Sequence, residues 1–299
     1  MKASFKLISA LLSVLATVGA SPSLAPRQSI TPLTASQIAS YKPYTYFAST
    51  AYCTPNTTVN WTCGRMCDAN PGFVPQASGG DGSSIQYWFV GYAPAQNTVV
   101  VSHQGTDTSQ IEADLTDGAA VLGPLDSTLF PGVPSSVLAH QGFAAEQAKT
   151  ATTILDAVQK SMSAHGATTV HVVGHSLGAA LALLDGVYLP LHLPSGTTVT
   201  VVGYGEPRVG NSAFANWVDG HIAVTRINNR EDYIPIMPGQ SAGYSHPSGE
   251  VHIQDSGVWV SCPGQENPST QCTDGDVPTT AQGNRTDHSG PYDGIVMGC

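Results

Sequence analysis

The run Gly174-His175-Ser176-Leu177-Gly178 sets a serine between two glycines, each two residues away. It follows Val170-His171-Val172-Val173 and leads into the apolar stretch 177–184. A strand, a sharp turn and a buried helix are what lift a serine hydroxyl above a sheet edge as a nucleophile. The turn forces the serine into a strained backbone conformation, and the flanking glycines remove side chains that would clash there. The Leu177 amide then lies at a helix N-terminus, where it faces developing negative charge. The chemistry this pattern suits is acyl transfer through a covalent serine intermediate.

Such a serine needs a base, and the base needs an acid to orient it. In a strand–elbow–helix frame the partners follow the serine in the order acid, then histidine. By order alone Asp185, Glu206, Asp219, Glu231, Asp232 and Asp255 all qualify as the acid. Asp232 stands out, because it follows the strand-like run 223–227 through the polar turn Asn228-Asn229-Arg230-Glu231. A carboxylate just past the C-terminal end of a strand can face the same edge as Ser176. Glu231, next to it, is the alternative. His246, His252 and His288 all lie downstream, and order does not choose among them. His171 and His175 are four apart but lie across a strand and an elbow, so they do not form a zinc-binding helix motif.

These residues must be positioned by alternating elements. Val-rich or aromatic runs at 86–92, 98–102, 169–173, 197–202 and 223–227 read as strands. Residues 142–165 read as a helix with Leu155, Val158 and Met162 at helical spacing and Gly166 as its C-terminal cap. Residues 177–191 read as a second, apolar helix. Strand–helix alternation predicts an α/β fold, with a mostly parallel central sheet and helices on both faces. The Gly- and Pro-rich segment 118–139 reads as a long surface loop. No linker divides the chain, so one domain over 29–299 is expected.

The stretch 174–178, together with Tyr204-Gly205-Glu206-Pro207-Arg208-Val209-Gly210-Asn211, resembles the fungal class 3 lipases, a branch of the α/β-hydrolases. The likeness runs over about residues 34–299. It implies an α/β-hydrolase fold and carries the acid onto Asp232, in Asp232-Tyr233-Ile234-Pro235. It carries the base onto His288, in Asp287-His288-Ser289, and gives His246 a place near the site without a role as base. His252, in a strand-like run, reads as structural, as does His140 in a His-x-Gly-Phe segment. The resemblance implies an oxyanion hole made by Thr106 with Leu177. Here the chain departs from the family, with His103 and Gln104 where an aromatic and an Arg are usual. It implies a lid next: Asp107, Thr108, Ser109, Gln110, Ile111, Glu112, Ala113, Asp114 and Leu115. Only Ile111, Ala113 and Leu115 of these are apolar, which shades the substrate toward more soluble esters. Glu206 and Arg208 could form a buried pair near the site.

The 299 residues are 41% hydrophobic and 11% charged, enough apolar content for a sizeable core. A net charge of -10 argues against nucleic acid as a partner. Lys2 and Lys6 ahead of the short apolar run 7–19 read as a signal peptide, residues 1–20, with 21–28 as a short pro-segment. No run is long enough to span a bilayer. Behind such a leader the six cysteines suggest disulfides rather than zinc. Fifteen pairings exist. Cys63 with Cys67 and Cys262 with Cys272 fit as local loops, leaving Cys53 with Cys299, and the resemblance implies the same set. Asn56, Asn60 and Asn284 lie in glycosylation sequons.

The expected protein is a secreted, monomeric serine ester hydrolase that needs neither metal nor organic cofactor. The leading substrate is an acylglycerol met at a lipid–water interface, as for a triacylglycerol lipase. A feruloyl or other carboxylic esterase is the alternative. A serine peptidase or amidase, and a non-catalytic surface-binding protein, stand behind these.

Overall fold

The computed structural model describes Met1 and residues 29–106, 111, 112, 115 and 120–299. The expected leader, the pro-segment and lid residues 107–110, 113 and 114 lie outside the described residues. The strands are β1 (Thr31–Pro32), β2 (Val74–Gly79), β3 (Trp88–Ala93), β4 (Thr98–His103), β5 (Leu122–Pro124), β6 (Leu138–His140), β7 (Thr169–His175), β8 (Thr198–Tyr204), β9 (Gly210–Asn211), β10 (Ala223–Asn229), β11 (Tyr244–Ser245), β12 (Glu250–Ile253) and β13 (Trp259–Cys262).

Nine strands form one sheet in the order β1-β13-β12-β10-β8-β7-β4-β3-β2. The centre, β4 to β12, is parallel. Both flanks are antiparallel. The reason is connection length: a few residues join β3 to β4 and β12 to β13, too few for a crossover helix. The segment 118–139 is less irregular than its composition suggests. It carries β5 and the start of β6, part of a small sheet ordered β11-β9-β6-β5.

Val99, Val101, Val170, Val172, Val199 and Val201 are buried on one face of the large sheet, and Val100, Val173 and Val202 on the other. The apolar helix Leu177–Tyr188 packs entirely buried against the first face. It ends three residues short of expectation, where Pro190 leads it into a 3-10 turn. The helix expected over 142–165 is two helices, Gln141–Ala148 and Ala151–His165. At the break, the Thr150 hydroxyl donates to the Gln147 carbonyl at 3.4 Å, so side chain competes with helix backbone. Gly166 caps the second helix in the left-handed region at φ 66°.

The second face is covered by the helix Ala35–Thr50, which the apolar pattern did not announce. Pro43 interrupts it, and its buried positions include Thr45, Ser49 and Thr50. Its start carries a capping box, in which the Thr34 hydroxyl accepts from Gln37 N and Gln37 Oε1 accepts from Thr34 N. Disulfides join Cys53 to Cys299, Cys63 to Cys67 and Cys262 to Cys272. Among the described residues one grouping of potential metal ligands occurs, Glu250 with Cys262 and Cys272, and its two sulfurs are spent on each other.

The outer strands of the large sheet each contain proline. β1 is only Thr31–Pro32, and β2 has Pro75 at a register shift against β3.

Candidate active site

Ser176 sits between β7 and the helix Leu177–Tyr188 with φ 60° and ψ -129°, the strained elbow conformation. Its amide donates to the Tyr204 carbonyl at 2.9 Å. The two glycines are required by contact. A side chain on Gly174 would run into the Gly178 carbonyl, and one on Gly178 into the His103 carbonyl. The helix can therefore start directly beneath the serine, with the Leu177 amide in its first turn.

Asp232 follows β10, and His288 lies in the 3-10 segment Arg285–Ser289. Their side chains meet at 2.9 Å, His288 Nδ1 to Asp232 Oδ2, with both residues at 1% exposure or less. The other carboxylate oxygen, Oδ1, accepts from Ile234 N at 2.9 Å and fixes the carboxylate plane. With Nδ1–H given to Asp232, Nε2 of a neutral imidazole is bare. Ser176 Oγ and His288 Nε2 are both buried and neither has a hydrogen-bond partner. The acid–base pair thus has its orienting bond made and its reactive nitrogen unspent. Gly205, at φ 55°, passes so close that a Cβ there would lie 2.9 Å from both Asp232 Oδ2 and His288 Nδ1.

The other candidates fall elsewhere. Glu231 lies beside Asp232 and contributes its carbonyl, which accepts from Asn284 N at 2.7 Å. Asp219 binds Ser248, and Asp255 is exposed. His246 Nε2 donates to the Pro235 carbonyl at 2.7 Å, behind the Asp232 loop. His252 spans the carbonyls of Gln271 and Arg230. His140 caps the helix Gln141–Ala148 by accepting from Phe143 N at 3.2 Å.

The departures at 103 and 104 have structural answers. His103 Nε2 lies 2.7 Å from Asp185 Oδ2, and Gln147 Nε2 donates to Asp185 Oδ1 at 2.8 Å. Gln104 pairs twice with Tyr87, through its amide at 2.8 Å and through Oε1 at 2.9 Å. The loop that carries Thr106 is therefore anchored on both sides without an arginine. Thr106 itself is partly buried next to this anchored stretch. In the lid segment Ile111 and Leu115 are buried in the same cluster as Leu177. Glu112 Oε1 accepts from the Tyr233 hydroxyl and lies 3.5 Å from Arg285 Nε. Tyr233 adjoins Asp232 and Arg285 lies three residues before His288, so the described residues of the expected lid are latched to the loops of Asp232 and His288.

Glu206 and Arg208 do not pair. Arg208 reaches away to Glu266 and Asp274, at 2.9 and 2.7 Å, and to the carbonyls of Ile236 and Pro238. It therefore braces the loop after Asp232. Glu206 instead folds back over Gly203, whose missing side chain leaves the space. Gly203 is in register with Arg226, and Arg226 with Glu250, so the Glu206 carboxylate sits in a buried row of charges across β8, β10 and β12. Neither Glu206 oxygen has a hydrogen-bond partner, and burial pushes its pKa up to about 8 against the pull of Arg226.

Residues 100–242 match the sequence family described as lipase (class 3). A secreted mono- and diacylglycerol lipase of Malassezia globosa, MDL2, is 36% identical over 200 residues, 65% of this chain and 63% of that protein. The chain thus spans somewhat under two thirds of that relative's length. Secreted mono- and diacylglycerol lipase 3 of Gibberella zeae is 31% identical over 227 residues, 73% of this chain and 70% of that protein. A triacylglycerol lipase whose catalytic centre is described as a serine-protease triad superposes with a TM-score of 0.76 at 25% identity, over 90% of this chain and 98% of that one. Sheet order, nucleophile elbow and these matches agree: the chain belongs to the class 3 lipase family, on an α/β-hydrolase fold.

Proposed function

We propose that the protein is a secreted lipase that cleaves acylglycerol esters through Ser176, His288 and Asp232. The observation that carries the reading is the buried Asp232–His288 bond, with Ser176 Oγ and His288 Nε2 both left without partners. Neutral His288 takes the hydroxyl proton as Ser176 Oγ attacks the ester carbonyl. Asp232 holds the imidazole tautomer and stabilises the charged form. The amides of Leu177 and Thr106 receive the oxyanion, each such donor being worth a factor of about 100 to 1000 in rate. His288 then gives its proton to the leaving alcohol. Water enters, loses a proton to His288 and releases the fatty acid from Ser176.

The acylglycerol substrate is supported by relatives named as secreted mono- and diacylglycerol lipases and by a structural neighbour named as a triacylglycerol lipase. Secretion is supported by the same names and by the leader-like residues 1–20. Among the described residues no helix is long and apolar enough to cross a membrane. Ile111 and Leu115, buried in the same apolar cluster as Leu177, support a lid that opens at a lipid surface. The acids at 107, 112 and 114 favour the second reading, an esterase acting on soluble esters such as feruloyl esters.

Initial rates on mono-, di- and triacylglycerol emulsions, a soluble short-chain ester and methyl ferulate separate these readings. Activity that jumps when the acylglycerol forms an interface, and vanishes in Ser176→Ala, is the expected result. Preference for methyl ferulate moves the protein to the esterase side. Full activity in Ser176→Ala overturns the mechanism.

A further inference from the structure

His175, immediately before the nucleophile, has no part in the reaction just described, yet both its nitrogens are engaged. Nε2 lies 2.7 Å from the carbonyl of His288, and Nδ1 lies 2.6 Å from the Tyr52 hydroxyl. Tyr52 stands just past the helix Ala35–Thr50, on the far side of the sheet from the elbow helix. Its oxygen also packs against Gly105, which precedes Thr106, so closely that a Cβ there would run into it.

The donor directions follow from chemistry alone. A carbonyl only accepts, so His175 Nε2 must carry its hydrogen. A neutral ring then has a bare Nδ1, and the Tyr52 O–H donates to it. The Tyr52 oxygen is thereby held against the Gly105 backbone. Burial and the neighbouring His288 both disfavour a second proton on His175. The chain of bonds therefore has one direction and one tautomer, Tyr52 to His175 and His175 to the His288 carbonyl, and its Tyr52 end packs on Gly105.

That carbonyl accepts a second bond, from the Tyr292 hydroxyl at 3.0 Å, so both its lone pairs are used. The preceding carbonyl, of Asp287, accepts from Asn229 Nδ2 at 2.9 Å. The backbone behind the base is held from three directions, and only one of the three leads back to the oxyanion loop.

We propose that Tyr52 and His175 are positioning residues that fix the oxyanion loop and the main chain of the base His288 relative to each other. The inference rests on Ser176 and His288 being nucleophile and base. The two parts hold opposite ends of one transition state, the oxyanion and the travelling proton. Displacement of either by about 1 Å costs on the order of 100-fold in rate.

The test compares Tyr52→Phe, His175→Leu and His175→Gln in the full-length protein on a soluble ester. Active serine is counted by titration with a phosphonate ester, so that kcat is expressed per competent site and misfolded protein drops out. Tyr52→Phe and His175→Leu should lower kcat about 10- to 100-fold with KM within about twofold. Both should displace the acid limb of the pH–rate profile, which reports the base. A glutamine at 175 can donate to the His288 carbonyl and accept from Tyr52, so His175→Gln should recover most of kcat and the wild-type acid limb. Wild-type kcat and pH profile in Tyr52→Phe and His175→Leu overturn the relay. So does a loss that appears in KM alone. Ser176→Ala, run alongside, fails independently: its activity tests the triad, whereas the other variants test only what holds it.

Discussion

His103 Nε2 and Asp185 Oδ2 lie 2.7 Å apart, both side chains at 1% exposure or less, and join the end of β4 to the middle of the elbow helix. Gln147 adds a third member from a separate helix. The oxyanion loop begins directly after His103, so this contact ties it to the element that presents Ser176. Asp185→Leu leaves two buried donors without an acceptor. It should lower unfolding free energy by about 2–5 kcal/mol, read as a fall in urea midpoint.

Gly205 approaches the acid–base pair more closely than any side chain could. Gly205→Ala places a methyl 2.9 Å from both Asp232 Oδ2 and His288 Nδ1 and requires a residue with Cβ at φ 55°. The His288–Asp232 bond has to lengthen. Activity should fall on the order of 100-fold at unchanged substrate affinity, checked by steady-state kinetics.

Glu206 predicts a pH dependence of stability. Its carboxyl titrates near 4.5 when hydrated and at about 8 in the folded protein, because burial disfavours its charge. Between these values the native state holds one proton more than the unfolded state, so stability falls as pH rises through the window and levels off above about 8. The full span is on the order of 5 kcal/mol. Arg226, which already opposes the shift, and Glu250 beyond it share the row and temper this figure. Glu206→Gln removes the titration. Thermal midpoints measured from pH 5 to pH 9 should fall less steeply in the variant than in wild type.

Tyr233 donates to Glu112 and thereby fastens the proposed lid segment next to Asp232. Loss of one such bond is worth about 1 kcal/mol, close to a fivefold change in an opening equilibrium. Tyr233→Phe should therefore raise the rate on a dissolved short-chain ester and shrink the jump at a lipid interface by about fivefold. Unchanged rates below and above the solubility limit would separate this latch from any gating.

The strand–elbow–helix at Ser176 was legible in the sequence because its pattern is contiguous, although only Gly174 answers a contact within the turn, while Gly178 makes room for the distant His103 carbonyl. The placement of Asp232 just past β10 was legible because strand ends and sheet edges coincide. His288 was not readable from order, since His246 and His252 satisfy the same order, and the resemblance chose it. Tyr52 carried no signal, because its partner His175 lies 123 positions away and neither belongs to a motif for the pairing. The helix that delivers Tyr52 was hidden by Pro43 and by buried hydroxyls, although Thr34-Ala35-Ser36-Gln37 announces its start. Arg208 and Glu206 looked like partners by proximity in sequence. The turn after β8 sends them in opposite directions, one to a distant carboxylate pair and the other over Gly203.

The two proline-bearing outer strands have a consequence for a protein held at high concentration. A proline has no N–H to offer a passing strand, and the shift at Pro75 breaks the regular spacing that a docking neighbour would follow. Thr58 from the short helix Pro55–Val59 also donates to the Ser78 side chain on β2 at 3.0 Å. The described sheet edges are thus poor templates for edge-to-edge pairing between crowded copies.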